Sequence, residues 1–148
     1  MPLLRYVYGL AALLWLVALP AGAYAATREH ASAVLHAWAF AVYSVGSLIC
    51  HQRPERSFHL WSAQLPVCAR CTGIYCGEAL ATFQAGGWFK SRGLDAGFAR
   101  RLIVLAAVPT LATLGYEWIT AVTPSNWIRF AAGVPLGGVV SWLVLRVN

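Results

Sequence analysis

Residues 50–59, CHQRPERSFH, and residues 66–77, PVCARCTGIYCG, form a polar island between long apolar runs. The two stretches hold all four cysteines of the chain, two of its four histidines and three of its eleven basic residues. The apolar segments on either side determine the fold, and this island divides them. We therefore expect any specific chemistry of the protein to lie here.

Composition and segment length indicate a membrane protein. Of the 148 residues, 59% are hydrophobic and 11% are charged, whereas about 25% of the residues of a soluble domain are charged. A helix that crosses a bilayer needs about 20 mainly apolar residues. We predict an all-α, polytopic transmembrane helix bundle, a single membrane domain with about five spans and a polar cysteine connector at residues 50–67. The predicted spans are residues 3–26, 31–49, 68–85, 102–122 and 127–147.

A net charge of +6 is compatible with nucleic acid as a partner, but the placement of the basic residues favours lipid. The basic residues are dispersed between apolar segments, where they meet lipid phosphates and orient the helices. Seven Trp and six Tyr residues also suit the two membrane interfaces. The expected partner is the lipid bilayer, and no nucleic acid is expected.

The first apolar segment has two interpretations. Arg5, the apolar run 10–19 and the small residues at 21–26 resemble a cleavable signal peptide. The length of residues 3–26 also suffices for a span, in which Pro20 is a tolerated kink. Because another hydrophobic segment follows within a few residues, a retained span is favoured.

The orientation of the cysteine connector stays open from sequence. The positive-inside rule places the basic connector after the third span in the cytoplasm and the cysteines outside. Arg5 and the likeness to a signal sequence argue for the opposite orientation. The residues of that basic connector are Lys90, Arg92, Arg100 and Arg101.

Cys68 and Cys71 form a CxxC at the start of a predicted helix. Free backbone N–H groups and the helix dipole stabilise a thiolate there, which makes it a better nucleophile or metal ligand. With Cys50 and either His51 or, as a substitute, His59, the two thiols complete a four-coordinate soft site typical of zinc. A reversible dithiol pair, copper or haem handling and a structural disulfide are alternative uses of the same residues.

The fourth thiol is expected to stand apart from this site. Cys76 lies five residues after Cys71, so at about 3.6 residues per turn it points to another face of the helix. A buried small apolar thiol is the favoured interpretation.

The polar residues around the cysteines have two interpretations. Either they form a solvated surface loop, or they bind an anionic headgroup or phosphate, for which the forked guanidinium of arginine is well suited. The candidate contacts are Gln52, Arg53, Glu55, Arg56, Ser57 and Arg70.

Ionisable residues near or within the spans are expected to face the bundle interior and to pair, because charges in hydrocarbon are costly. Glu117 and Arg129 flank a short turn between the fourth and fifth spans, so we expect them at similar depth and predict an ion pair. Asn126 is predicted to cap the fifth helix. These three residues are candidate second-half partners of the cysteine site.

Glycines at helical spacing predict close helix contacts. Gly73 and Gly77 in the third span, and Gly133 and Gly137 in the fifth, have the small-xxx-small spacing that lets membrane helices approach closely. A homo-oligomer through these glycine-rich helices is one expected consequence.

The polar island also resembles a family signature, CHQxPERSF followed by QxPVCARCTGIYxG. The matching stretches are residues 50–58 and 64–77, and neither His59 nor Cys76 belongs to the signature. The family consists of small bacterial and archaeal predicted membrane proteins of unknown function, and the late Glu117 and the spacing of Asn126, Arg129 and Gly133 are similar to its C-terminal half. The resemblance implies an integral, multi-pass protein of a prokaryotic inner or cell membrane with a shared polar site, and it implies no activity.

Three functions fit these features. The favoured one is a site for a soft metal ion, with zinc as the candidate cofactor, at one membrane face. The second is a membrane enzyme, with a redox thiol or a metal that activates water, acting on a small or lipid-like substrate held by Arg53 and Arg56. The third is a non-catalytic transporter or assembly helper, with Glu78, Glu117 and Arg129 lining a path between helices. The sequence assigns no catalytic residue, and whether the protein is an enzyme stays open.

Overall fold

The computed structural model describes residues 2–84 and 95–147, and within them the chain forms five α-helices. Their bounds are Pro2–Ala26 (α1), Ala33–Ile49 (α2), Ala69–Gln84 (α3), Ala96–Thr120 (α4) and Asn126–Val147 (α5). The predicted all-α fold is therefore confirmed. Of the helices in the described ranges, three are long and apolar enough to cross a membrane, and α2 is a shorter apolar helix. The three candidate spans are Tyr6–Ala26, Ala96–Thr120 and Asn126–Arg146.

The fourth helix begins earlier than the predicted start at residue 102. It starts at Ala96, and Asp95 precedes it in the extended conformation typical of a helix N-cap. Apart from one glycine, the intervening residues have ordinary helix propensity, so the helix extends through them. Arg100 and Arg101, which were expected in the connector, are exposed residues of α4. The other two residues of that basic connector, Lys90 and Arg92, lie outside the described residues.

Helices α3 and α5 form the most extensive contact in the bundle. Four glycines make the contact close, because an added Cβ at any of them would lie 1.9–2.3 Å from a backbone carbonyl oxygen of the opposite helix. The close approach predicted from the small-xxx-small spacing thus occurs inside the chain. A homo-oligomer through these glycines stays a prediction. The helix faces that carry them are covered by contacts within the chain. The glycines are Gly73, Gly77, Gly133 and Gly137.

Helix α1 packs on α2 and α3 and is tied to the bundle by polar contacts. The hydroxyl of Tyr8 donates to Oε1 of Glu78 on α3 at 2.7 Å and lies 2.9 Å from Oγ of Ser141 on α5. Further along the helix, the ring of Trp15 packs edge-on against Tyr75 at 6.0 Å between centroids. Glu78 therefore has a hydroxyl partner inside the bundle.

The connector between α2 and α3 contains a small hairpin, which the sequence had not indicated. A single 3₁₀ turn at Pro54–Arg56 precedes two short antiparallel strands, β1 (His59–Leu60) and β2 (Ala63–Gln64). The two turn residues, Trp61 and Ser62, have φ values of 50° and 69°. Positive φ at both central residues matches the right-handed twist of a two-residue hairpin. The connector is thus an ordered piece of backbone.

Replacing Gly137 by alanine is expected to destabilise the bundle. The new Cβ would lie 1.9 Å from the carbonyl oxygen of Ile74 on α3, and overpacking of this kind costs about 1–3 kcal/mol. The matched control is Gly115→Ala on α4, where an added Cβ meets no atom of the described chain within 4 Å. Alanine there gains about 1 kcal/mol of helix propensity. Thermal unfolding in detergent, followed by circular dichroism, compares the two variants, and equal stability would contradict a close contact between α3 and α5.

Candidate thiol and arginine site

Three thiols meet where the connector joins its two helices. Cys50 is the buried residue that ends α2, Cys68 immediately precedes α3, and Cys71 lies in the first turn of α3. Their sulfur atoms all lie within 4.8 Å of one another. All four cysteines of the chain are free thiols.

The amide side chain of Gln52 ties α2 and the start of the connector to the end of the connector. Nε2 of Gln52 donates to the carbonyl oxygen of Tyr43 at 2.8 Å and to that of Pro66 at 2.7 Å. Gln52 itself has a φ of 46°, in the left-handed region, which turns the chain away from α2. The absence of a side chain at Gly46 lets α2 meet the connector, because an added Cβ there would lie 2.3 Å from the carbonyl oxygen of Pro66. This clamp places Cys50 beside Cys68, the residue before α3.

The thiols lie against an apolar wall to which α1 contributes. Cys50 packs with Leu19 of α1 and with Val67, and both of these side chains have 0% exposure. The rings of Trp15 and Tyr75 pack on the same cluster. Helix α1 is therefore part of the site, which the spacing of the cysteines does not indicate.

Hydrogen bonds stabilise the thiolate form of Cys50. Its sulfur accepts the backbone N–H of Cys68 at 3.1 Å. Hydrogen bonds with the thiols of Cys68 and Cys71, and then with the backbone N–H groups of Cys68 and Gln52, lower the pKa of Cys50 well below its usual value, and burial opposes this shift only in part. The arrangement favours a negatively charged sulfur at the end of α2.

A second cluster, formed by arginine and glutamate, lies near the thiols. Oε1 of Glu117 on α4 is 2.6 Å from Nη2 of Arg56 and accepts from Nη2 of Arg129 at 2.7 Å. The side chains of Glu117 and Arg129 are only 7% and 2% exposed. The predicted ion pair between Glu117 and Arg129 is confirmed, and Arg56 of the connector is a third member that the sequence had not paired with them.

Arg70 links the two clusters. It stands between Cys68 and Cys71 in the chain, and its Nη2 donates to Oγ1 of Thr113 on α4 at 3.1 Å. The positive charge of Arg129 repels its guanidinium. Negative charge on Glu117, and on the two cysteines beside Arg70 in the sequence, attracts it. Thr113 precedes Glu117 by one helical turn, so the two side chains share a face of α4. That spacing could have identified Thr113 from the sequence.

The connector is fastened to α5 by the side chain of Asn126. Its Nδ2 donates to the carbonyl oxygen of Ser57 at 2.9 Å, and Ser57 in turn donates from Oγ to the carbonyl oxygen of Arg53 at 2.9 Å. The prediction that Asn126 caps α5 is wrong. The helix begins at Asn126, and Oγ of the preceding Ser125 accepts from the N–H of Ile128 at 3.4 Å. A serine hydroxyl suits the N-cap equally well, which leaves the amide free to reach the connector.

Several predicted site residues lie outside both clusters. His51 and His59 are exposed and do not belong to the group of three thiols, and neither does Cys76. Arg53 and Glu55 are also exposed. Gln52 and Ser57 use the side-chain groups described above to bond the connector backbone. The structure thus concentrates the site on three thiols and three arginines.

Comparisons with known proteins identify a matching family and two relatives, and none of their names states an activity. A family model described as "Predicted membrane protein (DUF2085)" matches residues 50–143, which include both clusters. An uncharacterized protein of Methanocaldococcus jannaschii is 32% identical over 107 residues, which cover 72% of this chain and 67% of that protein. An uncharacterized protein of Methanothermobacter thermautotrophicus is 36% identical over 90 residues, 60% of this chain and 78% of that protein. No solved structure matches.

Removing the charge of Glu117 is expected to destabilise the protein strongly. Glu117→Gln keeps the shape of the side chain but leaves buried Arg129 without its counter-charge, and breaking a buried pair in this way costs about 3–5 kcal/mol. Urea or thermal unfolding in detergent measures the loss.

The matched control for this variant is Glu55→Gln. The Glu55 side chain is 55% exposed and lies 3.9 Å from Nε of Arg56, so its loss is expected to change stability by less than about 0.5 kcal/mol. The double variant Glu117→Gln/Arg129→Gln should recover part of the stability, because it no longer buries an unpaired guanidinium. An unchanged stability of Glu117→Gln would show that the pair makes no net contribution.

Proposed function

This chain belongs to the DUF2085 family of predicted membrane proteins, and we propose that it binds a soft metal ion through Cys50, Cys68 and Cys71. The single observation that supports this proposal is the convergence of three sulfur atoms within 4.8 Å of one another. We further propose the cell membrane of a prokaryote as its location, because both relatives named above come from archaea.

The donor set fits zinc or a similarly soft ion. Thiolates select Zn²⁺ and Cu⁺ over hard cations. In a tetrahedral zinc site with Zn–S bonds of about 2.3 Å, the sulfur atoms are about 3.8 Å apart. The three sulfur atoms, all within 4.8 Å of one another, need to approach by at most about 1 Å to reach that separation.

The surroundings favour a site with three protein ligands and one further position. A zinc site of three protein ligands accepts water or a small ligand as its fourth, whereas a structural site is closed by a fourth side chain. His51 and His59 are exposed and outside the thiol group, so we propose an exchangeable fourth ligand. The apolar wall formed by Leu19, Val67 and the adjacent rings excludes bulk water from the sulfur atoms on the α1 side.

Metal analysis of the purified protein tests the proposal. Wild-type protein is prepared in detergent without chelators. It is expected to retain about one soft metal ion per chain, because the described residues hold one group of three thiols. Cys50→Ser and Cys71→Ser should each lower the content at least about tenfold, since a hydroxyl is a much poorer soft ligand. Inductively coupled plasma mass spectrometry measures the content.

The matched control is Cys76→Ser, which removes a thiol from the same helix but outside the group, and which should leave the metal content unchanged. His51→Ala distinguishes the two ligand sets. Retained metal favours three thiolates alone, and lost metal favours the imidazole as the fourth ligand. If the wild-type protein holds no metal and Cys68 and Cys71 form a reversible disulfide, the metal proposal is wrong and the thiols are a redox pair.

A further inference from the structure

The geometry points to a second site: we propose that Arg56, Arg70 and Arg129 bind a phosphate-type oxyanion beside the three thiols. This inference goes beyond the metal site and does not depend on it. Its basis is an excess of positive charge, carried by the buried Arg129 and the half-buried Arg56 and Arg70, together with buried polar atoms that have no partner in the described part of the chain.

The charge balance is the first step. Three guanidiniums face one buried carboxylate, that of Glu117, whose Oε1 already contacts both Arg56 and Arg129. Glu55 is the other carboxylate near Arg56, but it is largely exposed and therefore screened by solvent. A divalent ion on three thiolates would carry one negative charge beside Arg70, which still leaves positive charge in excess. Glu117 pairs the buried Arg129, but the half-buried Arg56 shares that carboxylate and Arg70 has no carboxylate of its own among the ion pairs described. Because charges away from water are normally paired, an external anion is the expected counter-charge.

The unpartnered atoms are the second step, and they indicate the chemistry of the anion. Nε of each of the three arginines is buried without a hydrogen-bond partner among the described residues, and so are two acceptors, Oε2 of Glu117 and Oδ1 of Asn126. Such groups are uncommon in native structures unless a ligand or water satisfies them. A hydrogen phosphate, or a phosphate monoester in its singly protonated form, offers oxygen acceptors to the arginines and one O–H donor to one of the two acceptors, whereas chloride or a carboxylate offers acceptors alone.

The convergence of the three arginines is the third step. Arg56 and Arg129 meet at the same oxygen of Glu117. Arg70 bonds Thr113, one turn before Glu117 on α4, and the carbonyl oxygen of Arg70 lies against Gly133, one turn after Arg129 on α5. Three elements, the connector, α3 and α5, therefore bring their guanidiniums to one place.

Phosphate binding by the metal-free protein tests this site. The probe is inorganic phosphate, titrated into chelator-treated protein in a zwitterionic detergent and followed by isothermal titration calorimetry. Saturable binding is expected for the wild type. Arg70→Gln should weaken it at least about tenfold, since a charge-assisted hydrogen bond of ordinary strength corresponds to such a factor. Arg101→Gln, which removes the same charge from an exposed position of α4, should bind within about twofold of the wild type.

A second arm distinguishes a lipid headgroup from free phosphate. Wild-type and Arg70→Gln proteins are purified from nanodiscs of phosphatidylcholine with phosphatidylglycerol, and native mass spectrometry detects the lipid that stays bound. Retention of phosphatidylglycerol by the wild type and not by Arg70→Gln identifies the headgroup as the ligand. Phosphate binding without such retention identifies a free phosphate compound. Either result supports the site.

Two results would overturn the proposal. One is a wild type that binds neither probe, and the other is an equal loss of binding in Arg101→Gln and Arg70→Gln, which would reflect general surface charge. Arg70→Gln is expected to fold, because the one side-chain hydrogen bond described for Arg70 is that to Thr113. Arg56→Gln, on a partly exposed side chain, serves as the second variant, and thermal unfolding confirms that each variant is folded. Metal content and phosphate binding are measured independently, so either proposal can fail without the other.

Discussion

The direct contact of the α3 and α5 backbones is the constraint on which the rest of the site depends. Four glycines leave no side chain at the points of closest approach, so carbonyl oxygens of one helix lie against the main chain of the other. The contact begins at the first turns of both helices, because Gly73 faces Phe130 and Gly133 faces Arg70. Arg70 is thereby held close to Arg129, and the CxxC comes to the same end of the bundle as the buried ion pair.

The connector completes the site because its backbone is ordered. Side chains bond its backbone carbonyl groups, among them the amides of Gln52, Gln64 and Asn126 and the hydroxyl of Ser57. Near a bilayer such bonding has a clear reason, since backbone polar groups away from water need internal partners. One consequence is chemical, because the clamp brings Cys50 to Cys68. The other is electrostatic, because Arg56 is carried to Glu117.

Two polar networks occupy different levels of the bundle. One joins Tyr8, Glu78 and Ser141, and the other joins Arg56, Glu117 and Arg129. On α5, Arg129 and Ser141 are about 18 Å apart along the axis at 1.5 Å per residue. Each network gives its glutamate a partner, as expected for ionisable groups between membrane helices. The first uses hydroxyl groups and the second uses guanidiniums, so only the second concentrates charge beside the thiols.

The sequence by itself determined the helices, the membrane class, the CxxC at a helix start and the pairing of Glu117 with Arg129. These follow from the length of apolar runs, from the need to satisfy the backbone in lipid and from residues that flank one short turn. Only the tertiary structure decided that Arg56 joins that pair, that Asn126 bonds the connector instead of capping α5, and that α1 forms a wall of the thiol site. The physical reason is that spacing along a chain predicts which side chains share one element. Contacts between distant elements depend on how closely their backbones approach, and here the glycines and the left-handed turn at Gln52 set that distance.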